Sequence, residues 1–333
     1  MSLFIGDAFQ ELLSRNQHYK RNGFSESHWN KLSGSVRDFS QFCEQFHLGS
    51  PFPSSCYQLD LWQTHLASRG TIKCPKTISS HLSAIRTVNR LYSYPELDPS
   101  DPQIRLTFNG IRRELKWIPQ KKRPHTLLAI RKAMFKNLDF QNVDDLTFAL
   151  ISDVMFFLLL RVSNVLPKTL SSFNPVKQLC RDNVRFYGDR IALDFVWAKN
   201  NQYSERATTV SIMKTNSEFD TVSMMEELFD RVPTVRVNQP LFTRVYRGGV
   251  VPVIRGWFIN KYKREIAKIG LDKSVYSGQG HRCGGLMLLI KIGTPLFLAI
   301  DRGQWRSEAW KEYLCLNQQD RDGVSRMIAR AMQ

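Results

Sequence analysis

The stretch from Ile118 to Thr126 is the feature that most constrains how this chain folds. It reads Ile-Pro-Gln-Lys-Lys-Arg-Pro-His-Thr and interrupts a long series of helix-like segments with two prolines, which end or kink helices. A chain of 333 residues is long enough for two cores. The sequence therefore predicts a helical domain at 1–117, a basic linker at 118–126 and a second domain at 127–333.

The first domain is predicted to be a bundle of four or five short helices. Apolar residues recur every three or four positions, as in Trp29, Leu32, Val36 and Phe39, which places them on one helix face. A Pro- and Asp-rich loop precedes the last helix. The predicted helices span 25–46, 57–68, 77–92 and 104–117.

The second domain is predicted to be mainly α with a small antiparallel β-sheet, so the fold class is α+β. The apolar run Leu146–Leu160 contains Asp153 and is too short to span a bilayer comfortably, which indicates a buried helix. Three stretches of alternating or β-branched residues predict the sheet strands, Asn183–Tyr187, Arg190–Trp197 and Ala207–Ile212. Further helices are predicted at 219–231, 254–269, 284–292, 296–301 and 307–314.

The charge balance favours a polyanionic partner. Lys and Arg number 47 against 30 Asp and Glu, which gives a formal net charge of +17. Each phosphate that such a surface neutralises releases counterions, so double-stranded DNA is the expected partner. No long amphipathic basic helix or lipidation signal favours a membrane. Lys121, Lys122 and Arg123 are candidate contacts to the DNA backbone, although a solvated hinge explains them equally well.

Localisation and metal content follow from weaker signals. The N-terminus lacks the basic start and apolar stretch of a secretory signal. The six cysteines are scattered, without a CxxC pair or zinc-like spacing to histidine. We therefore expect an intracellular protein, nuclear in a eukaryote and otherwise cytoplasmic, with reduced thiols, no structural zinc and no cofactor.

The residues that carry chemistry lie in separated parts of the second domain. Arg161 lies in Leu-Leu-Arg-Val-Ser-Asn, Lys199 in the hairpin segment Trp-Ala-Lys-Asn-Asn, and Arg282 in Gln-Gly-His-Arg-Cys-Gly-Gly. Tyr313 follows Gly303-Gln-Trp by ten positions. Taken singly, each has an ordinary structural explanation, such as a helix cap, a hairpin charge or a packing tyrosine. Their order and spacing together point to phosphodiester chemistry.

That order resembles the tyrosine recombinase, or integrase, family. The Arg161 segment is similar to the family's "LLRxSE", the Arg282 segment to "HxxR", and Gly303-Gln304 to its Gly-His or Gly-Trp dipeptide. The Gly-x-Trp form and the Trp-Ala-Lys hairpin look most like the eukaryotic branch found in retrotransposons and Crypton-type elements. The resemblance covers the second domain, which it identifies as the catalytic domain, and makes the first domain a DNA-binding core-binding domain.

The resemblance implies site-specific recombination through a covalent 3′-phosphotyrosyl intermediate, without metal or ATP. Arg161 and Arg282 would clamp the phosphate, Lys199 would protonate the leaving oxygen, and Tyr313 would be the nucleophile. Gln279 and Gln304 occupy the two remaining positions of the catalytic set. The family generally works as a homo-tetramer on two duplexes, and the tail 314–333 would pack on a neighbouring protomer or on its own core.

Three positions depart from the family pattern. Gln279 replaces a histidine, and a neutral amide cannot take up a proton at neutral pH. Gln304 replaces a histidine or tryptophan, and Asn164 replaces an acid. His281 is close in sequence, but its register is that of a packing residue. These departures leave open a recombinase-derived DNA-binding protein without activity, and a type IB topoisomerase-like relaxase is a further alternative.

Overall fold

The computed structural model divides the chain into two compact units, Met1–Pro119 and Gln120–Gln333. The predicted linker with Lys121, Lys122 and Arg123, the hairpin segment with Lys199, and most of the tail fall outside the described part of the chain. The exact residues that bound the linker between the domains therefore stay a prediction. The structure describes residues 2–98, 100–116, 126–195, 208–234, 236–246, 249–314, 322, 326 and 329.

The first unit is a helical bundle, as predicted. Three of its helices begin where a side chain caps the free backbone N–H groups; for example, Ser25 accepts from His28 N, and Asp101 accepts from Gln103 N and Ile104 N. The core is rich in large rings, including the fully buried Phe39 and Trp62. The helices are α1 (Ser2–Asn22), α2 (Glu26–Gln45), α3 (Cys56–Ser68), α4 (Pro75–Leu91) and α5 (Pro102–Glu114).

The second unit is mostly helical with a small sheet, again as predicted. A three-stranded antiparallel sheet has the order β1-β2-β3, with Val184 paired to Leu193 and Ile191 to Ile212. The strands are β1 (Val184–Tyr187), β2 (Arg190–Phe195), β3 (Thr208–Met213), β4 (Thr243–Tyr246) and β5 (Gly249–Pro252). The helices are α6 (Leu128–Phe135), α7 (Val143–Phe157), α8 (Val162–Val165), α9 (Thr221–Arg231), α10 (Arg255–Lys268), α11 (Gln279–Lys291) and α12 (Leu296–Arg302).

Helix α7 is the centre of this unit, and it is buried on every side between Leu146 and Phe156. Helix α11 packs directly against it. A Cβ atom at Gly285 would lie 2.1 Å from the carbonyl oxygen of Phe156, so only glycine permits this approach. The close contact brings the first turn of α11 beside the C-terminal end of α7.

Four details differ from the sequence-based expectations. Helix α1 lies outside the four predicted helix ranges of the first unit. The antiparallel hairpin β4–β5 was not predicted. Helix α11 begins at Gln279 and not at Gly284, since the pair of glycines gave a false start signal. The segment Glu308–Tyr313 is a 3₁₀-helix, where a helix of unspecified type was expected. Within the described part of the chain, no helix is long and apolar enough to cross a membrane.

Candidate active site

Arg282 is the centre of the site. It lies in the first turn of α11 with only 2% of its surface exposed. Its Nη2 donates to the carbonyl oxygen of Gly303 at 2.7 Å, and its Nη1 donates to that of Leu159. The guanidinium stacks on Trp305, with 4.1 Å between Cζ and the ring centroid. Arg282 therefore joins the turn after α7 to the turn after α12.

The charge of Arg282 has no carboxylate partner among the described residues. Burial lowers the pKa of Arg282 to about 10, and the neighbouring charge of Arg161 lowers it as well, whereas the phenol of Tyr313 raises it. Burying a cation is costly unless an anion compensates for it. The two guanidinium charges act on each other, and the resulting positive potential favours an anionic ligand.

The turn after α7 positions Arg161. Leu159 adopts a left-handed backbone conformation, with φ of 51°, and Leu160 N donates to Met155 O at 3.1 Å. The chain is thereby turned sharply between two helices, since α8 begins at Val162. Arg161 is the N-cap residue of α8 and is half-buried, so its side chain is accessible to a ligand while its backbone is held.

The turn after α12 is equally tight. A Cβ atom at Gly303 would lie 1.8 Å from the ring of Trp305, so this position requires glycine. Gln304 follows with φ of 53°, and its backbone N–H donates to Asp301 O at 2.8 Å. The result is a buried Trp305 ring beneath the guanidinium of Arg282. The sequence motif contained Trp305, but its role as the stacking partner of Arg282 was missed.

Tyr313 completes the cluster. Its ring centroid lies 5.6 Å from that of Trp305, and the Cζ of Arg282 lies 5.7 Å from the Tyr313 ring centroid. The Nε2 of Gln279 donates to the phenolic oxygen at 2.9 Å. The phenol is partly exposed, so it is held by neighbours and still open to solvent on one side.

The structure thus brings three of the predicted site residues into contact, Gln279, Arg282 and Tyr313, and Arg161 lies near enough for its charge to act on Arg282. Gln304 adjoins them through its backbone, since it follows the carbonyl that Arg282 binds. Lys199 lies outside the described residues. Among the residues described, no group of His, Cys, Asp or Glu is arranged to hold a metal ion.

His281 lies in the packed core, as its register predicted. Its ring is 4.7 Å from that of Tyr262 and 5.7 Å from that of Phe258, measured between centroids. Burial lowers the pKa of His281 to about 4, which keeps the imidazole neutral at pH 7. The neutral ring packs between aromatic neighbours. Among the described residues, no side-chain hydrogen bond joins it to the cluster around Tyr313.

Comparison with known proteins identifies the fold. No family model and no curated protein matches the sequence. The integrase of transposon Tn1549, solved in complex with transposon right end DNA, superposes with a TM-score of 0.60 over 96% of this chain and 98% of its own, at 12% identity. The chain has the tyrosine recombinase fold. The XerH site-specific recombinase, in a post-cleavage complex with palindromic difH DNA, superposes with a TM-score of 0.54, 13% identity and coverage of 86% of this chain and 74% of its own.

Proposed function

We propose that the chain is a site-specific DNA recombinase that cleaves and rejoins duplex DNA through a covalent 3′-phosphotyrosyl intermediate. The observation that carries the proposal is the contact of the Tyr313 phenol with Gln279 and with the guanidinium of Arg282, which has no described carboxylate partner and feels the charge of Arg161. A phosphodiester supplies the missing negative charge. The net charge of +17 and the fold, which the chain shares with DNA-bound recombinases, support the same substrate.

The arginines would act on the nonbridging oxygens of the phosphate. Attack at phosphorus concentrates negative charge on these oxygens, and donors that are already in place stabilise it without reorganisation. Arg282 is immobilised by two carbonyl groups and by the Trp305 ring, so its remaining N–H groups are preorganised. Arg161 is more exposed and would complete the clamp as the DNA binds.

Tyr313 would be the nucleophile. Its oxygen forms a bond to phosphorus as the bond from phosphorus to the 5′-oxygen breaks, and Lys199 donates the proton that the leaving oxygen needs. The phosphotyrosyl bond conserves the energy of the broken phosphodiester, so a 5′-hydroxyl can reverse the step on another strand without ATP. Gln279 donates to the phenolic oxygen and orients it, but its amide cannot accept the phenolic proton, which passes to solvent at the partly exposed phenol.

The assembly would be a homo-tetramer on two duplexes. The tail 314–333 carries Val324, Met327, Ile328 and Met332 at helical spacing, which suits packing on a neighbouring protomer. Deleting residues 315–333 should lower assembly on DNA while the monomer still folds. Sedimentation of the DNA complexes tests this, and an undiminished tetramer fraction would contradict packing between protomers.

A trapping assay tests the central proposal. A pool of end-labelled, nicked duplexes of random sequence is incubated with the full chain, and covalent protein–DNA adducts are separated under denaturing conditions. We expect an adduct that disappears in Tyr313→Phe and persists in Tyr187→Phe, a matched change at the β1–β2 turn. An adduct that Tyr313→Phe retains would overturn the proposal. Relaxation of any supercoiled plasmid without site preference would favour a type IB topoisomerase activity instead.

A further inference from the structure

A large groove on the first unit carries an unusual set of side chains. It lies between the end of α1, the helices α2 and α4, and the loop after α4, and its volume is about 940 Å³. Four aromatic rings line it, those of Trp29, Phe52, Tyr92 and Tyr94. Nothing in the proposed cleavage chemistry uses these rings, which belong to the other unit of the chain.

Three of the rings form a nearly parallel row. The centroids of Phe52 and Tyr94 are 6.3 Å apart at an interplanar angle of 21°, and those of Tyr94 and Tyr92 are 6.0 Å apart at 23°. The row becomes more exposed along its length, because Tyr94 is 36% exposed and Tyr92 69%. An exposed ring face at the end of a stack is a surface on which another flat ring can stack.

The loop is held in this shape before any ligand binds. Ser93 has a left-handed backbone, with φ of 56°, and turns the chain between the two tyrosines. The backbone N–H of Tyr94 donates to Asn89 O at 2.9 Å, and the buried side chain of Asn89 accepts from Ser54 Oγ at 2.9 Å. Little conformational entropy is therefore lost when a ligand stacks on these rings.

The remaining lining residues supply positive charge. Lys20 and Arg21 line the groove, and the Nε1 of Trp29 donates to the carbonyl oxygen of Arg21 at 2.6 Å, which ties the end of α1 to α2. Among the described lining residues none is acidic. The groove thus offers flat apolar faces beside cations, and its ligand should combine flat rings with negative charges.

We propose that this groove binds the unpaired nucleotides of single-stranded DNA. Base stacking on aromatic rings together with cations along the phosphates is the usual way in which proteins hold single strands. A duplex hides its base faces in its own stack, so it cannot use the tyrosine row. The site goes beyond the proposed function, which concerns a duplex phosphate on the second unit.

Fluorescence anisotropy of a labelled oligodeoxythymidylate, titrated with the full chain, tests the proposal. Tyr92→Ala and Tyr94→Ala should each raise the Kd about tenfold, because each removes a stacking face. Tyr92→Phe keeps the ring and should keep the affinity. Tyr57→Ala is the matched control, since Tyr57 is 67% exposed on α3 and does not line the groove. Lys20→Gln should flatten the salt dependence of binding.

Several outcomes would overturn the proposal. The groove is not the site if both alanine variants bind the oligonucleotide as Tyr57→Ala does. Equal losses of affinity for an oligonucleotide and for a duplex would also contradict it. So would sedimentation that shows the groove to be a contact between two copies of the chain. The Tyr313→Phe chain should bind the oligonucleotide normally, and Tyr92→Ala should still form the phosphotyrosyl adduct. These two results separate a failure of this proposal from a failure of the cleavage proposal.

Discussion

Two buried arginines in the second unit differ in how their positive charge is compensated. Arg131 on α6 makes a two-pronged ion pair with the fully buried Asp153 on α7, and its Nη2 also donates to Phe219 O at 3.0 Å. Arg282 is buried to the same degree, but it donates to two carbonyl groups and stacks on an aromatic ring. The charge of a second cation, Arg161, acts against its own. The first arginine is neutralised by the protein itself, and the second is not.

The difference is the one expected between a structural cation and the ligand-binding cation that we propose for Arg282. Burial alone does not, because Arg181 is also buried without a described carboxylate, donating to Val232 O and stacking on Phe229 at 3.9 Å. What sets Arg282 apart is the second guanidinium of Arg161 and the phenol of Tyr313 beside it. Two cations next to a phenol are an arrangement that folding alone does not favour.

The largest expected effect is on the structural pair. Asp153→Asn leaves the charge of Arg131 buried without an anion, so the free energy of unfolding should fall by about 3–5 kcal/mol. Asp189→Asn is the control, because Asp189 pairs with Arg190 at the exposed β1–β2 turn, where the loss should stay below about 1 kcal/mol. Urea unfolding measures both. Equal losses would show that the Arg131 pair is not special.

The second prediction concerns Arg282. In Arg282→Met no anion loses its partner, so the free energy of unfolding should fall only by about 2 kcal/mol, for the two hydrogen bonds to the carbonyls of Leu159 and Gly303. Adduct formation should fall by a factor of about 10²–10³, as for other preorganised donors. Urea unfolding measures the change in the free energy of unfolding, and the trapping assay measures the change in adduct formation. A loss of stability as large as that in Asp153→Asn would remove the contrast between the arginines.

His281 is a buried base that is neutral at pH 7 and therefore needs no counter-ion. The folded state holds its pKa near 4, and the unfolded state has a pKa near 6.5, so below pH 6.5 the unfolded chain binds more protons. Stability from this residue is complete above pH 6.5, and about 3 kcal/mol is lost as the pH falls to 4. His281→Phe should reduce this slope. Denaturation at each pH tests it, and parallel pH curves for both chains would contradict it.

The smallest effect is expected at Trp305. Trp305→Leu removes the ring beneath Arg282 and should slow adduct formation about tenfold, the value of a buried cation–π contact. Trp305→Phe keeps a ring and should retain most of the rate, because the indole Nε1 has no hydrogen-bond partner among the described residues. DNA affinity, measured alongside, should hardly change. A rate that falls equally in both variants would assign the effect to the indole N–H.

Sequence patterns predicted the fold, and they also selected candidate site residues that the structure places near one another. Helical and strand periodicity located the three-stranded sheet and most helices, since a buried face repeats at a regular interval. Order and spacing also identified Arg161, Gln279, Arg282 and Tyr313, which the structure places together. The stacking of Trp305 and the left-handed turn at Leu159 were not predictable, because each depends on contacts between distant residues. The roles of Lys199 and of the linker lysines stay predictions.

Binding of a simple anion tests the contrast between the arginines most directly. The melting temperature of the full chain is followed as inorganic phosphate replaces chloride at constant ionic strength, in the wild type, in Arg161→Gln and in Arg185→Gln, a change at a half-exposed arginine of β1. A ligand that binds only the folded state raises the melting temperature. We expect the rise in the wild type and in Arg185→Gln and its loss in Arg161→Gln. An equal response of all three chains would contradict an anion site at the arginine pair.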